Sequence, residues 1–196
     1  MNVHESHEHI EEVGAHHGNK RVALLIAALA AVLAITEMGG RNAQVEALGR
    51  NIEAANLWAF FQAKTIRQTT LRTAAEAFET AGLPPEQADA VSKRIQAWRA
   101  TAERYETEPS TNEGRRELAA RAKHAEHERD RALAAHHTFE IGSGALQLAI
   151  VLASASVVAG AMWLAWAGGV LGAIGFAFAL LGWFAPTALH ALHLSH

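Results

Sequence analysis

The run VALLIAALAAVLAIT, residues 22–36, decides the fold of this chain because it contains no charged side chain. Residues 22–38 form a longer apolar stretch that is interrupted only at Glu37. As a helix this stretch would be about 25 Å long, the short end of what a bilayer core requires. A cleaved signal peptide is the competing interpretation, but the preceding tail is long and acidic and AITEMGG contains no A-x-A site. The sequence therefore predicts a membrane-spanning helix over residues 21–38.

A second uncharged region lies near the C-terminus, over residues 141–189, and all 17 Lys and Arg residues precede it. Gly168-Gly169 divides this region, and Pro186 stands near its end, where a helix can stop. The sequence predicts two further spans joined by a tight hairpin at the glycine pair. These spans are residues 141–167 and residues 170–189.

Aromatic and small residues in the apolar runs are also typical of membrane helices. Aromatic belts mark membrane–water interfaces, and the candidates here are Trp163, Trp166, Trp183 and Phe184. Small residues at helical spacing let helix backbones approach closely in lipid. They are Ala23, Ala27 and Ala31 in the first run and Gly168, Gly172 and Gly175 in the last. The alternative is that Ala and Gly merely reflect a GC-rich genome.

The polar middle of the chain, residues 39–140, is predicted to be a helical extramembrane domain between the first two spans. Breaks at Gly82-Leu-Pro-Pro and at residues 108–114 divide it into three helical legs. The third leg is expected to continue into the second span. The outward leg, about 63 Å, roughly matches the two return legs of about 33 and 40 Å laid end to end. We therefore expect a long antiparallel hairpin, with a three-helix bundle as the alternative.

Apolar residues on the outward leg approximate an a/d stripe, which favours a coiled-coil helix. They are Val45, Leu48, Ile52, Ala55, Ala59 and Ile66.

Within this leg, NLWAFFQAKTIRQ, residues 56–68, concentrates three aromatic rings. Trp58 and Phe61 share one helix face, and Phe60 and Lys64 share a neighbouring face. One interpretation is that Trp58 and Phe61 pack against the alanine-rich returning helix, which offers Leu118, Ala119, Ala122, Ala125 and Ala132. Another is that the two faces serve two contacts, one within the chain and one between subunits. A ligand-binding or base-stacking platform is a third, although no basic cluster surrounds the rings.

The segment W-A-F-F-Q-A-K-x-I, residues 58–66, resembles the W-x-Y-[YF]-Q-A-K-x-I signature of a bacterial membrane protein family, a domain of unknown function. L-Q-L-A-I-V-L-A-S, residues 146–154, resembles the opening of that family's second span. The resemblance covers about residues 10 to 189 and implies three spans but no activity. It marks Trp58, Gln62 and Lys64 as a structural signature. Two phenylalanines stand where a tyrosine is expected, so any hydrogen bonds of its hydroxyl are missing here.

The twelve histidines form small groups at the ends of the chain and along the third leg. They are His4, His7, His9, His16 and His17 in the polar tail of residues 1–20, then His124, His127, His136 and His137, then His190, His193 and His196 in the tail of residues 190–196. Imidazole suits zinc, copper or nickel, but a tail provides no fixed second shell, and no H-E-x-x-H motif occurs. We expect solvated tails and no cofactor. Weak metal binding and a pH response are the alternatives.

Charge and motifs give little support to nucleic-acid binding or catalysis. Residues 41–140 carry 15 basic and 15 acidic side chains, and the net charge of the chain is −3, which does not suit a polyanion partner. The chain has no cysteine, no phosphate-binding loop and no G-x-S-x-G motif. Only Glu37 and Gln147 are polar candidates at the span edges, too few for a proton path within one subunit.

The sequence thus predicts an all-α protein with three transmembrane helices in the bacterial inner membrane. The leading hypothesis for its function is a non-enzymatic homo-oligomeric scaffold or organiser. Its expected partners are itself and lipid, without nucleic acid or an identifiable small-molecule substrate. A homo-oligomeric ion or small-solute channel and a metal- or pH-responsive module are the alternatives. The oligomer-contact candidates are Trp58, Phe60, Phe61, Gln62 and Lys64.

The positive-inside rule gives two answers for orientation. If only the short tails are considered, the basic residues are Lys20 and Arg21 of the N-terminal tail. This favours a periplasmic location for residues 41–140. If the positions next to the spans are considered instead, residues 41–140 contribute six basic residues and the N-terminal tail contributes two. This favours a cytoplasmic location for residues 41–140. The six are Arg41, Arg50, Arg121, Lys123, Arg129 and Arg131. We favour the cytoplasmic orientation.

Overall fold

The computed structural model describes the backbone of residues 3–81 and 84–188, and side chains of residues 20–81, 84 and 86–188. These residues form four α-helices and a short 3₁₀ turn, Pro85–Gln87, and no strand occurs within them. The helices are α1 (Val3–Thr80), α2 (Ala88–Glu106), α3 (Arg115–Ala159) and α4 (Met162–Phe184). The predicted all-α class is confirmed.

Three of these helices, α1, α3 and α4, contain stretches long and apolar enough to cross a membrane by length and composition. Helix α1 passes through Gly39 and Gly40 without a break, and residues 3–20, predicted as a polar tail, have helical backbone within it. Helix α3 carries the third polar leg directly into the second apolar run, as predicted.

The turn between the last two helices lies at Gly160 and Ala161, so its predicted position at Gly168-Gly169 was wrong. Gly160 has φ of +64°, a left-handed conformation that costs roughly 1–2 kcal/mol for a residue with a Cβ. Gly168 is instead helical, and a Cβ there would lie 2.8 Å from the carbonyl oxygen of Ala149. The predicted boundaries 141–167 and 170–189 are corrected accordingly, since α3 ends at Ala159 and α4 ends at Phe184.

The chain divides into two compact units. The first contains the chain up to Ala47 and from Arg131 onward, and the second is Leu48–Asp130.

In the first unit, the buried seam of α4 consists only of glycine and alanine. Its members are Ala165, Gly168, Gly172, Gly175, Ala179 and Gly182. Opposite them on α3 lie Leu146, Ala149 and Ala153, each 0% exposed. Small side chains let the two backbones come together and gain dispersion contacts. Gly168, Gly172 and Gly175 therefore serve helix contact, whereas Ala23, Ala27 and Ala31 are exposed in the chain.

In the second unit, the two return legs lie one after the other along α1. Near the end of α1, Phe78 packs edge-to-face with Trp98 of α2, at 5.5 Å between ring centroids. Further back, Gln68 donates to the carbonyl of Ala102. Earlier residues of α1 contact α3, where Arg129 donates to Asn51. This is the antiparallel order that the leg lengths predict.

The predicted a/d stripe does not form the seam between α1 and its neighbours. Val45, Leu48, Ile52 and Ile66 are 53–70% exposed, and Ala55 and Ala59 are exposed as well. The buried seam lies on the opposite face and includes Ala54, Leu57, Lys64, Gln68 and Ala75. The stripe is therefore exposed within one chain. The face that packs was not predicted because two of its buried side chains, Lys64 and Gln68, are long and polar.

Candidate functional site

The segment of residues 56–68 forms a joint between α1, α2 and α3, here called the helix junction. Its apolar part is a cluster of buried side chains, Ala54, Leu57, Leu118, Ala122 and Ala125, with Trp58 and Phe61 packed against it. The two rings meet edge-to-face at 5.4 Å and 84°, a favourable geometry for aromatic quadrupoles. The structure thus places Trp58 and Phe61 against the alanine-rich helix, where the first interpretation put them.

Trp58 also has a polar partner. Its indole Nε1 donates a hydrogen bond to Oε1 of Glu126 over 2.9 Å. A half-buried indole N–H needs an acceptor, since an unmade bond costs about 1–3 kcal/mol. Glu126 of α3 provides it.

Arg115, the first residue of α3, is the polar centre of the helix junction. Its guanidinium donates to Oγ1 of Thr65 at 2.9 Å, to Oε1 of Gln68 at 2.6 Å and to Oε2 of Glu106 at 2.7 Å. The same group lies 4.9 Å from the ring centroid of Phe61. A planar fork of donors can make several such bonds and stack at once. One side chain therefore joins all three helices.

Lys64 is the most buried charged side chain of the segment, with only 4% of its surface exposed. Its Nζ lies 3.4 Å from Oε2 of Glu108. The rings of Phe60 and Tyr105 approach the ammonium at 5.3 Å and 5.7 Å. A buried charge requires an opposite charge, and aromatic faces add attraction. Lys64 is therefore held by one ion pair and two rings.

Hydrogen bonds and nearby arginines lower the pKa of Glu106 below its ordinary value. The largest cause is the bond from the side chain of Gln68, followed by the Arg116 hydrogen bond and the charges of Arg115 and Arg116, against an opposing effect of burial. The pKa of Glu117 is also lowered, first by the hydroxyl of Thr107 and then by backbone N–H groups. Both carboxylates are stabilised in their charged form.

The helix junction contains residues that the sequence did not single out. Leu57 and Gln68 lie on the same face of α1 as Phe61 and Thr65, and Arg115 is distant in sequence. A spacing of three and four residues through Leu57, Phe61, Lys64 and Gln68 is the signal that could have found most of them. Of the other two candidates, Phe60 borders this joint through its ring, which lies beside Lys64. Phe60 is 37% exposed and Gln62 is exposed.

In the first unit, the structure brings the two span-edge candidates together. Nε2 of Gln147 donates to Oε1 of Glu37 over 3.3 Å, and Nη2 of Arg41 lies 4.0 Å from Oε2 of the same carboxylate. They line an open groove of about 440 Å³ that also includes His136 and Glu140. Nδ1 of His136 lies 3.0 Å from the carbonyl oxygen of Gly40.

Beside this groove, Phe139 fills a socket made by glycines. A Cβ at Gly39 or at Gly182 would lie 2.9 Å from its ring, and one at Gly40 would lie 3.3 Å from its Cβ. Phe139 is 3% exposed and meets Trp183 edge-to-face at 5.7 Å. The glycine pair after the first apolar run therefore admits an aromatic ring of α3.

Metal ligands do not converge among the side chains that the structure describes, where no group of three or more His, Asp or Glu could hold an ion. His124 and His127 are exposed on α3. The histidines of the two tails lie outside the described side chains, so the prediction for them stays a prediction. In the described part, the polar groups of the helix junction bind one another, an arrangement suited to stabilising helix contacts.

Comparison with known proteins places the chain in a family without an assigned activity. A family model described as a domain of unknown function, DUF4337, matches residues 18–185. The chain belongs to this family. No curated protein matches the chain, and no solved structure does. The DUF4337 match includes both the helix junction and the glycine socket of Phe139.

Proposed function

We propose that this DUF4337 protein is a homo-oligomeric scaffold of the bacterial inner membrane, with three membrane-spanning helices and without enzymatic activity. Helices α1, α3 and α4 supply the apolar stretches that such a protein needs. In this proposal residues 41–140 are cytoplasmic, and the partners of the chain are further copies of itself and membrane lipid.

The observation that carries the proposal is an exposed apolar face on α1. We call it the outer face and define it by Leu48, Ile52, Ala55, Ala59 and Ile66. Leu48, Ile52 and Ile66 are 60%, 53% and 67% exposed. Neighbouring positions of the outer face are three, four or seven residues apart, which is the spacing of a coiled-coil seam. Such a contiguous exposed apolar surface is typical of a site of protein association.

The occupant that best suits the outer face is the same face of another copy. Spans of identical copies hold their α1 helices parallel in one membrane, which is the arrangement a symmetric coiled coil requires. The positions of the outer face carry no charge, whereas the same helix carries Glu53 and Arg67 beside it. Phe60 and Gln62 lie next to the outer face and are oligomer-contact candidates.

The helix junction supports a mechanical role for the signature. Its ionic groups are already bonded to one another, with Arg115 bound to Glu106 and Lys64 beside Glu108. Such a joint fixes the return legs against α1 and thereby leaves the outer face of α1 free to associate. A scaffold needs this rigidity, because a flexible leg would lose more entropy on assembly.

The channel alternative has one observation in its favour, the polar pair of Glu37 and Gln147 at the edge of the apolar segments. A pore would require several copies to bring such pairs around a common axis. The pair is already bonded within the chain, so we rank the channel below the scaffold.

Charge substitution on the outer face tests the proposal. Ile52→Glu combined with Ile66→Glu places acidic groups of identical subunits opposite one another, and we expect the purified protein to fall to monomers. Ala100→Glu is the matched control, since Ala100 is exposed on α2 away from this face. Particle mass in detergent or nanodiscs is the measurement. A wild-type monomer, or a double variant with unchanged mass, would refute the scaffold. Conductance in planar bilayers would favour the channel.

A further inference from the structure

A groove between the start of α4 and the first apolar turns of α1 has the composition of a lipid site. It encloses about 500 Å³ and is lined by Arg21, Val22, Leu25, Met162, Ala165, Trp166 and Gly169. Sites of this size commonly hold a small molecule or part of a lipid. The helix junction and the outer face share no residue with it.

The walls of the groove are apolar and its mouth is cationic. Val22 and Ala165 are buried and form its floor together with the partly buried Leu25. Among its lining residues Arg21 carries the one charge, and none of them has a carboxylate. A guanidinium binds phosphate oxygens through paired donors. An acyl chain suits the walls, and a phosphate suits the mouth.

Trp166 and Gly169 further define the occupant. Trp166 is 75% exposed at the edge of the groove, and indole rings prefer the level of the lipid headgroups. A Cβ at Gly169 would meet no atom within 4 Å, so the glycine leaves open space where any other residue would fill it. Gly168 differs, because a Cβ there would meet the backbone of α3 at Ala149.

We propose that the groove binds an anionic phospholipid, with an acyl chain between α1 and α4 and the headgroup phosphate on Arg21. The inference rests on the membrane placement in the proposed function. A basic side chain near the membrane surface attracts anionic headgroups, and Arg21 provides one beside an apolar groove.

Lipid retention by the full-length protein tests the site. The protein is purified from membranes in a mild detergent, and phosphatidylglycerol or phosphatidylcholine is added at equal concentration. Bound lipid is then counted by native mass spectrometry. We expect the wild type to retain phosphatidylglycerol about five-fold over phosphatidylcholine, the preference that one basic residue near a headgroup supplies.

Two variants separate the two parts of the site. Arg21→Gln should bind both lipids equally, because it loses the charge and keeps the apolar walls. Gly169→Leu should retain neither, because its side chain occupies the groove. Gly144→Leu is the control, since Gly144 also has nothing within 4 Å and lies on α3 outside this groove. It should behave as the wild type does. If Gly169→Leu does not fold, the lipid preference of Arg21→Gln still tests the site.

The outcomes distinguish this inference from the proposed function. Equal binding of the two lipids by the wild type, or unchanged retention by Gly169→Leu, would overturn the lipid site. The lipid site would also be overturned if Gly169→Leu lowered the particle mass and left the amount of retained lipid unchanged. That result would show that a second copy of the chain covers the groove. Recovery of the wild-type chain in the soluble fraction of lysed cells would overturn the membrane placement itself.

Discussion

The indole of Trp58 donates a hydrogen bond to Glu126 over 2.9 Å, which joins α1 to α3 across 68 positions of the sequence. The same ring packs against the buried cluster around Leu57 and Leu118. Trp58 therefore contributes both apolar burial and a directed hydrogen bond.

These two contributions can be separated by two substitutions. Trp58→Phe keeps most of the ring and removes the donor, so we expect a loss of about 1 kcal/mol in the free energy of unfolding. Trp58→Ala also removes the ring, so we expect about 3 kcal/mol. Thermal unfolding followed by circular dichroism measures both. Phe60→Ala, at a more exposed position, should cost less than Trp58→Ala. Equal losses for Trp58→Phe and Trp58→Ala would contradict this account.

The pair of Lys64 and Glu108 predicts a non-additive response. Glu108→Ala leaves the ammonium buried without its carboxylate, and we expect a loss of about 3 kcal/mol. Lys64→Met removes the buried charge and keeps much of the length of the side chain. The double variant, Lys64→Met with Glu108→Ala, should therefore be more stable than Glu108→Ala alone. Chemical denaturation of the four proteins gives the coupling. Additive losses would show that the two groups act independently.

Acid should weaken the helix junction through Glu106. Its folded pKa lies below the ordinary value of 4.5, so its contribution to stability is fully present above that value and is lost as the pH falls through the folded pKa. We expect the melting temperature to be insensitive to Glu106 ionisation at pH 6–7 and to fall below about pH 4.5. Glu106→Gln should have a shallower acid slope than the wild type. An identical slope in the two proteins would contradict the assignment.

The helices, the breaks between them and the antiparallel order of the legs could be predicted from the sequence, because Pro84, Pro85 and the uncharged runs determine them locally. The face of α1 that packs against α2 and α3 could not be predicted. Lys64 and Gln68 are polar, and their burial is made favourable by partners distant in sequence. The partner of Lys64 is Glu108, and those of Gln68 are Ala102, Glu106 and Arg115. The turn at Gly160 was missed for a related reason. A glycine that permits positive φ and one that permits close packing look the same in a sequence.

Those two roles of glycine give a sharp comparison at adjacent positions. Gly168→Ala places a Cβ 2.8 Å from the carbonyl oxygen of Ala149, whereas one at Gly169 meets nothing within 4 Å. We expect Gly168→Ala to cost about 1–3 kcal/mol, since α3 and α4 must move apart. Gly169→Ala should be neutral or stabilising, because alanine favours a helix over glycine. Unfolding in detergent compares the two, and similar effects would contradict the close contact.

Orientation in the membrane can be measured with single introduced cysteines, because the chain itself contains no cysteine. Arg41, Arg50 and four basic residues preceding the second apolar run favour a cytoplasmic location for residues 41–140, because basic residues near span ends stay inside. Ser110→Cys, in the exposed loop between α2 and α3, should be protected in intact cells from a membrane-impermeant maleimide. Ser6→Cys should be labelled. After permeabilisation both should react, which controls for accessibility. Labelling at position 110 with protection at position 6 would reverse the orientation. The outer face would then lie in the periplasm, and the copies would associate there. This is the orientation favoured when only the basic residues of the short tails, Lys20 and Arg21, are counted.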